Sequence, residues 1–371
     1  MKFAQGMTLG AVTAAACALA ACEIHPRPVA KAPAATPSGP ANEVAAAQAP
    51  PLLDIPPAAP SASPVAQPID QAVYADAADK PESKRDMLIR AQVLLDRAHI
   101  SPGVIDGKDG ENVRNAVAAF ERANRLPVDG QLDADVWAKL TDDMHPVLTD
   151  YVITPQDAAG PFVTLPPKDD YEAMAKLPKM GFTSPLEMLA ERFHMDPALL
   201  TALNPGADFA AAGTKIVVAA VGPQTLPEKV ATIEVDKGLK QVRAYDAAGL
   251  MLAAYPATVG STDLPTPSGE LAVRTIAPNP TWTYDPSKLS FGKPATGKLT
   301  IKAGPNNPVG AVWIDLTRDT YGIHGAPEPK LVGKTASHGC VRLTNWDARQ
   351  LGAAVSKGTQ VVFVGVETPK A

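Results

Sequence analysis

A histidine and a cysteine, each beside glycine, stand close together late in the chain, in Ile323-His324-Gly325 and in Ser337-His338-Gly339-Cys340-Val341-Arg342. An imidazole can take a proton from a thiol and later deliver it to a leaving amine, and the thiolate is strongly nucleophilic. Of the chain's three cysteines, Cys17 lies in an apolar leader and Cys22 at its end, so Cys340 has no partner for an internal disulfide. A polar, glycine-flanked setting speaks against a buried inert thiol. A metal site built from His324, His338 and Cys340 would lack the paired Cys-x-x-Cys or His-x-x-x-His spacings such sites use. Thiol hydrolases of the papain kind place cysteine before histidine, the reverse of the order here. Gly339 permits close backbone approach, and the N–H groups around Gly339 and Cys340 are candidates for holding an oxyanion.

Short β-strand patterns surround these residues. Val230–Val235, Gln241–Tyr245 and Met251–Tyr255 are separated by Lys237-Gly238 and Ala248-Gly249 turns, and Ala311–Leu316 and Gln360–Val364 continue the theme. Helical spacing is confined to about Asn345–Ser356, where Ala348, Leu351 and Val355 share a face. A mostly-β sandwich or barrel over residues 228–366 is expected.

The same stretch resembles the catalytic domain of the L,D-transpeptidases, which remodel bacterial peptidoglycan. The matching pieces are Gly260 with Pro265-Thr266-Pro267-Ser268-Gly269, Gly304-Pro305 with Asn307-Pro308, Tyr321–Gly325, and Ser337–Leu343. The resemblance implies that Cys340 is the nucleophile and His324 the general acid/base, its ring oriented by the backbone carbonyl of Gly325. It leaves His338 a supporting part and Arg342 and Ser337 contacts to the stem peptide, Arg342 either holding a carboxylate or bracing the loop. The implied reaction cleaves the bond between the L-centre of meso-diaminopimelate and a terminal D-alanine, then passes the acyl group to an amine. No metal or organic cofactor is implied, and carbapenem β-lactams are implied inhibitors. A wall-binding lipoprotein with a hydrolytic (L,D-carboxypeptidase) or purely scaffolding domain is the competing reading.

Upstream, the pattern predicts a multidomain chain. Residues 84–142 read as a small α-helical bundle: Leu88, Ala91, Leu95 and Ala98 recur at helical spacing, as do Val113, Val117 and Phe120, and Asp133 can cap a third helix. Its paired Asp106-Gly107 and Asp129-Gly130 turns before helices, with Ala116–Phe120 and Trp137–Leu140, resemble the peptidoglycan-binding domain type 1, although Glu121 stands where that family often has Gln. Residues 143–180 read as a linker. Residues 181–221 read as a small α/β unit of two helices, an Asn204-Pro205-Gly206 stop and a Lys215–Val218 strand, and resemble a degenerate lysin motif without its usual Gly-Asp-Thr opening.

Residues 1–22 have the charge and apolar run of a secretory leader, and Leu19-Ala20-Ala21-Cys22 resembles a lipobox, with lipid attachment at Cys22. Ordinary cleavage to a soluble periplasmic form is the alternative. Residues 23–83, with 12 of the 38 prolines between Pro26 and Pro68, read as a disordered Ala/Pro-rich tether reaching roughly 45 Å as a coil. A formal net charge of −5 excludes a basic nucleic-acid footprint. The resemblances imply peptidoglycan stems and glycan as partners, plus a membrane through Cys22, at the periplasmic face of a bacterial envelope. His25, His99, His145 and His194 read as isolated surface or helix-end residues.

Overall fold

The computed structural model describes residues 59–74, 80–287 and 297–367. The leader, the lipobox cysteine and most of the proposed tether lie outside the described residues. The tether's last part does not: residues 59–74 are packed. Helix α1 (Ala66–Asp70) buries Ala66 and Ile69, and the Asp70 carboxylate accepts the backbone N–H groups of Val147 and Leu148. Burying a side chain such as Ile69 stabilises by about 1.5–3 kcal/mol, enough to hold a short segment that composition alone reads as tether.

Helix α2 (Pro81–Arg97) starts on a proline, whose missing N–H is no loss in a first turn. It packs with α3 (Glu111–Asn124) and α4 (Ala134–Leu140), the last capped by Asp133 accepting from Val136 N. The two Asp-Gly turns are built alike. Gln92 Oε1 accepts from Asp106 N and Gly107 N at 3.0 and 2.8 Å; Glu121 Oε2 accepts from Asp129 N and Gly130 N at 3.0 and 2.9 Å. Glu121 is thus a buried clasp of the fold, its carboxyl pushed up by that burial.

The stretch read as a linker is structured. It holds β1 (Leu148–Val152), α5 (Pro155–Ala159) with a capping box between Thr154 and Asp157, and α6 (Tyr171–Ala175). Helices α7 (Pro185–Arg192) and α8 (Pro197–Leu203) fall where periodicity puts them, and β2 (Lys215–Ala219) pairs antiparallel with β1, Leu148 opposite Ala219 and Val152 opposite Lys215. The unit expected over 181–221 therefore draws its first strand from far upstream. The linker reading failed because Leu148, Ile153, Tyr171, Met174 and Met180 are buried by partners distant in sequence, which leaves little local periodicity. The helical bundle and this strand–helix–helix–strand unit also share one apolar core.

The C-terminal part is one curled mixed sheet. Its strands are β3 (Thr232–Asp236), β4 (Gln241–Tyr245), β5 (Met251–Pro256), β6 (Gly269–Pro278), β9 (Val312–Leu316), β10 (Gly322–His324), β11 (Val341–Arg342) and β12 (Gln360–Val364), ordered β11-β10-β9-β6-β12-β3-β4-β5. A separate hairpin, β7 (Trp282–Tyr284) with β8 (Leu299–Ile301), stands outside it. The sheet closes on itself just past β5, where Thr258 and Arg342 exchange both backbone hydrogen bonds at 2.9 Å. Ile100 bridges β5 on its outer edge, so the helical bundle covers a strand edge that would otherwise be open. Helix α9 (Asn345–Ala354) lies against β6, β9 and β10.

Where the three parts meet, polar groups are buried together. His194 lies 2.9 Å from Asp96 and stacks on Trp346 at 4.8 Å, Ser101 Oγ donates to Asp347 at 3.0 Å, and Tyr255 OH donates to Gln350 at 2.9 Å. His194, expected on the surface, is 4% exposed. Its carboxylate partner comes from α2, too far in sequence for spacing to reveal.

Candidate active site

Strand alternation sorts the residues around the thiol. In β9, Val312, Ile314 and Leu316 point into the barrel core while Trp313 and Asp315 point outward. Ile314 pairs with Ile323 and Ile323 with Val341, all in that core. The outer face therefore carries Trp313, His324 and Arg342 as one row of cross-strand partners. Gly322 lies one rung before it, and Cys340 immediately precedes β11, its Sγ 3.5 Å from Thr320 O on the approach to β10. The thiol and the imidazole are thus carried by two neighbouring segments of the sheet.

His324 is 3% exposed. Its Nδ1 lies 2.7 Å from the Gly325 carbonyl, which fixes Nδ1 as the donor and leaves Nε2 with its lone pair. Trp313 stacks on the ring with centroids 5.3 Å apart and planes 25° apart. Gly322 is required beneath that indole, since a Cβ there would stand 2.6 Å from Trp313. Burial drives the imidazole down to about 3. The Arg342 charge adds to this, against backbone hydrogen bonds to Gly325 and Val309.

Cys340 is half-buried and donates to Thr320 O at 3.5 Å. Burial pushes its thiol up, opposed by a backbone hydrogen bond from Gly322 and by the positive charge of Arg342. At neutral pH the resting pair is a thiol and a neutral imidazole.

The loop before Cys340 is braced internally. Ser337 Oγ donates to the Cys340 carbonyl at 2.5 Å and accepts from Gly339 N at 3.0 Å, and Ser337 N donates to Val259 O at 2.7 Å. The Ser337 hydroxyl, expected to contact the stem peptide, shapes the loop in this structure, and the Gly339 N–H, expected to face an oxyanion, is bonded here to Ser337. Gly339 itself has φ +112°, a conformation few other residues adopt, with Tyr321 2.9 Å from where a Cβ would be. His338 is exposed at the loop tip.

Asn345, at the start of α9, is fully buried beside the histidine strand. It accepts from Ala311 N at 2.9 Å and donates to Glu191 at 3.0 Å and to the Pro305 carbonyl at 3.1 Å, holding the segments that flank Gly325. Arg342 is tied by its backbone to Thr258, while its buried Nε has no hydrogen-bond partner among the described residues. Burial holds this guanidinium below its ordinary value, and Cys340, Tyr171, Glu328 and Asp169 lie within electrostatic reach of it.

Sequence reasoning missed Trp313, read only as a strand residue, though its outward phase opposite a histidine was legible from alternation. It also missed Asp169 and Tyr171, which no local signal ties to the thiol.

A closed mixed barrel that carries a histidine and a free cysteine on neighbouring segments can be compared with known proteins. The model for the L,D-transpeptidase catalytic domain matches residues 231–363, and that for "Putative peptidoglycan binding domain" matches residues 84–140. Two Bacillus proteins each described as "Putative L,D-transpeptidase YkuD" align with the chain. The B. licheniformis one is 30% identical over 179 residues, covering 47% of this chain and 91% of its own length. The B. subtilis one is 29% identical over 187 residues, covering 50% and 95%. An L,D-transpeptidase structure from Mycobacterium smegmatis is 21% identical with a TM-score of 0.30, covering 42% of this chain and 65% of that one, too distant to carry an argument. The chain belongs to the L,D-transpeptidase family and carries a peptidoglycan-binding domain, which places it among enzymes of the bacterial cell envelope.

Proposed function

We propose that this protein is a cysteine acyltransferase acting on peptidoglycan tetrapeptide stems. The observation that carries the reading is the pairing of β10, which bears His324, with β11, which Cys340 immediately precedes, the histidine Nδ1 being held by Gly325 O at 2.7 Å. In the first step Cys340 Sγ attacks the diaminopimelate carbonyl while its proton passes to His324 Nε2. The carbonyl oxygen gathers charge, which the backbone N–H groups of Cys340 and, once released from Ser337, of Gly339 would stabilise. The C–N bond then breaks, His324 returns the proton to the departing D-alanine amine, and a thioester remains on Cys340. An acceptor amine attacks the thioester, loses its proton to His324, and the thiol is restored.

Both resting groups are neutral, so proton transfer accompanies attack; there is no standing thiolate to wait on a substrate. A carboxylate arriving at Arg342 would offset the positive charge that depresses His324 and so strengthen the base as substrate binds. Ser337 and His338 shape and flank the loop. Carbapenems would acylate Cys340 by the same first step. The 84–142 bundle would hold glycan, and the 143–221 region, fused to the bundle through a common core, would act as the bridge to the barrel. Export through the 1–22 leader and lipid attachment at Cys22 belong to the same reading, and intact-mass analysis lacking acyl chains would remove the anchor.

Incubation with disaccharide-tetrapeptide and mass spectrometry of the products tests the reaction. Dimer with loss of D-alanine is the expected result. Tripeptide alone would replace transfer by hydrolysis, and no product together with a Cys340 inert to carbapenem would leave a wall-binding scaffold.

A further inference from the structure

Helix α7 lies outside the matched catalytic domain, yet two of its side chains end inside it. Glu187 and Glu191 are spaced i, i+4, which puts them on one helix face. Glu187 accepts from Asn306 Nδ2 at 2.7 Å, and Glu191 accepts from Asn345 Nδ2 at 3.0 Å. The two carboxylates therefore grip the loop before β9 and the first residue of α9. The chain just before α7 adds a backbone clasp. Met180 N donates to Ala303 O and Asn306 N donates to Met180 O, each at 3.0 Å, and Asn306 Nδ2 also reaches Gly181 O at 2.9 Å.

The Asn345 amide connects this grip to the histidine. Its Oδ1 accepts from Ala311 N at 2.9 Å and lies against two glycines at once: a Cβ on Gly325 would stand 2.2 Å from that oxygen, and one on Gly310 2.3 Å. A Cβ on Gly310 would also stand 2.4 Å from the Gly325 carbonyl carbon. Gly325 is thus wedged between the Gly310 backbone and one buried amide. An amide has a donor end and an acceptor end, and turning it over would set Nδ2 against the Ala311 N–H. Both partners of Nδ2, the Glu191 carboxylate and the Pro305 carbonyl at 3.1 Å, are acceptors and hold it the right way round. Of the two, Glu191 is the side chain, and it comes from the strand–helix–helix–strand unit.

We propose that Glu191 is a positioning residue for His324, acting through the Asn345 amide on the Gly325 carbonyl that holds the ring at Nδ1. The unit upstream of the barrel thereby completes a site whose reacting groups all lie within the barrel. Loss of the carboxylate frees the amide to turn, loosens Gly325, and lets the imidazole proton move to Nε2, where the lone pair that takes the thiol proton should be. The inference rests on His324 acting as the base, but its spectroscopic test needs no turnover.

The test is nitrogen NMR of the full chain labelled in histidine, which reports the ring nitrogen that carries the proton; His324→Gln assigns the signal among the six histidines. Near neutral pH the unaltered protein is expected to show His324 as the Nδ1–H tautomer alone. Glu191→Ala is expected to admit the Nε2–H tautomer and to slow carbapenem acylation roughly tenfold. Glu191→Gln, which keeps an acceptor opposite Asn345 Nδ2, should recover the single tautomer and most of the rate. An Nε2–H signal already in the unaltered protein, or an unchanged Nδ1–H signature in Glu191→Ala, overturns the proposal whether or not the rate falls. If Glu191→Ala does not fold, the reciprocal pair decides. Asn345→Asp sets two carboxylates face to face, and adding Glu191→Gln restores a donor opposite an acceptor. Return of the Nδ1–H signature in the double variant supports the link, and no return overturns it. A signature lost in Glu191→Ala while even the unaltered protein resists acylation spares the positioning and sinks the transferase. Acylation at equal rates with equal signatures does the reverse.

Discussion

The indole of Trp313 lies against the imidazole of His324, ring centroids 5.3 Å apart and planes 25° apart. These two residues are direct cross-strand partners, so the stack follows from the β9–β10 register. With Gly325 O holding Nδ1 from one side, the indole removes the ring's remaining freedom to turn. A positioned base is worth much more than a mobile one, since small misplacements in an active site cost about 100-fold.

Trp313→Ala should therefore lower the rate of carbapenem acylation about 10- to 100-fold, while Trp313→Phe retains most of it. Stopped-flow loss of carbapenem absorbance measures both. Equal rates in the Ala variant and the unaltered protein would remove the positioning role.

Cys340→Ala should abolish acylation, read as loss of the mass adduct, and leave sedimentation with purified sacculi intact. The helical bundle sits on a core that Cys340 does not touch. Loss of sacculus binding in the same variant would mean the bundle does not bind the wall on its own.

Arg342 pushes two groups in the same direction. Its charge lowers His324 and also lowers the thiol of Cys340, by repelling the imidazolium and attracting the thiolate. In Arg342→Gln both groups should titrate at higher pH, moving both limbs of the pH–acylation profile to the alkaline side. A limb that moves toward acid would contradict this electrostatic account.

The buried node where the three parts meet predicts a pH-dependent stability. Burial raises Asp347 to about 7, with Ser101, Thr344 and His194 opposing and Asp96 adding to the rise. His194, beside Asp96, is also raised. Groups with raised folded values stabilise fully below their unfolded values and lose that contribution as pH climbs through the folded ones. The window for Asp347 therefore runs from about 4 to about 7. Relative to the unaltered protein, Asp347→Asn should gain roughly 2–4 °C in Tm between pH 5 and pH 8, the response to about 1 kcal/mol in a domain of this size. A Tm difference that is the same at both pH values would refute it.

Glu121 and Gln92 do the same task in two turns, each accepting two backbone N–H groups on one oxygen. Glu121→Gln should therefore be tolerated, with Tm unchanged or higher because a buried charge is removed, while Glu121→Ala should cost about 1–3 kcal/mol in denaturant melts by orphaning both donors.

The sequence by itself determined strands β2–β5, β9 and β12, helices α2–α4 and α7–α9, and the candidate pair His324 and Cys340. Period-two alternation in Val312–Leu316 and 3.6-residue periodicity along α2 and α3 are local patterns, and His324 and Cys340 stand in short runs whose chemistry is readable without coordinates. Only the tertiary structure decided which donors remain available, because Ser337 Oγ takes up the Gly339 N–H across a loop turn. The same holds for Leu148 joining β2 and for Tyr171 reaching the hairpin. The last two pairings join residues far apart along the chain, and their energy comes from burial and register, which no local window of residue types encodes.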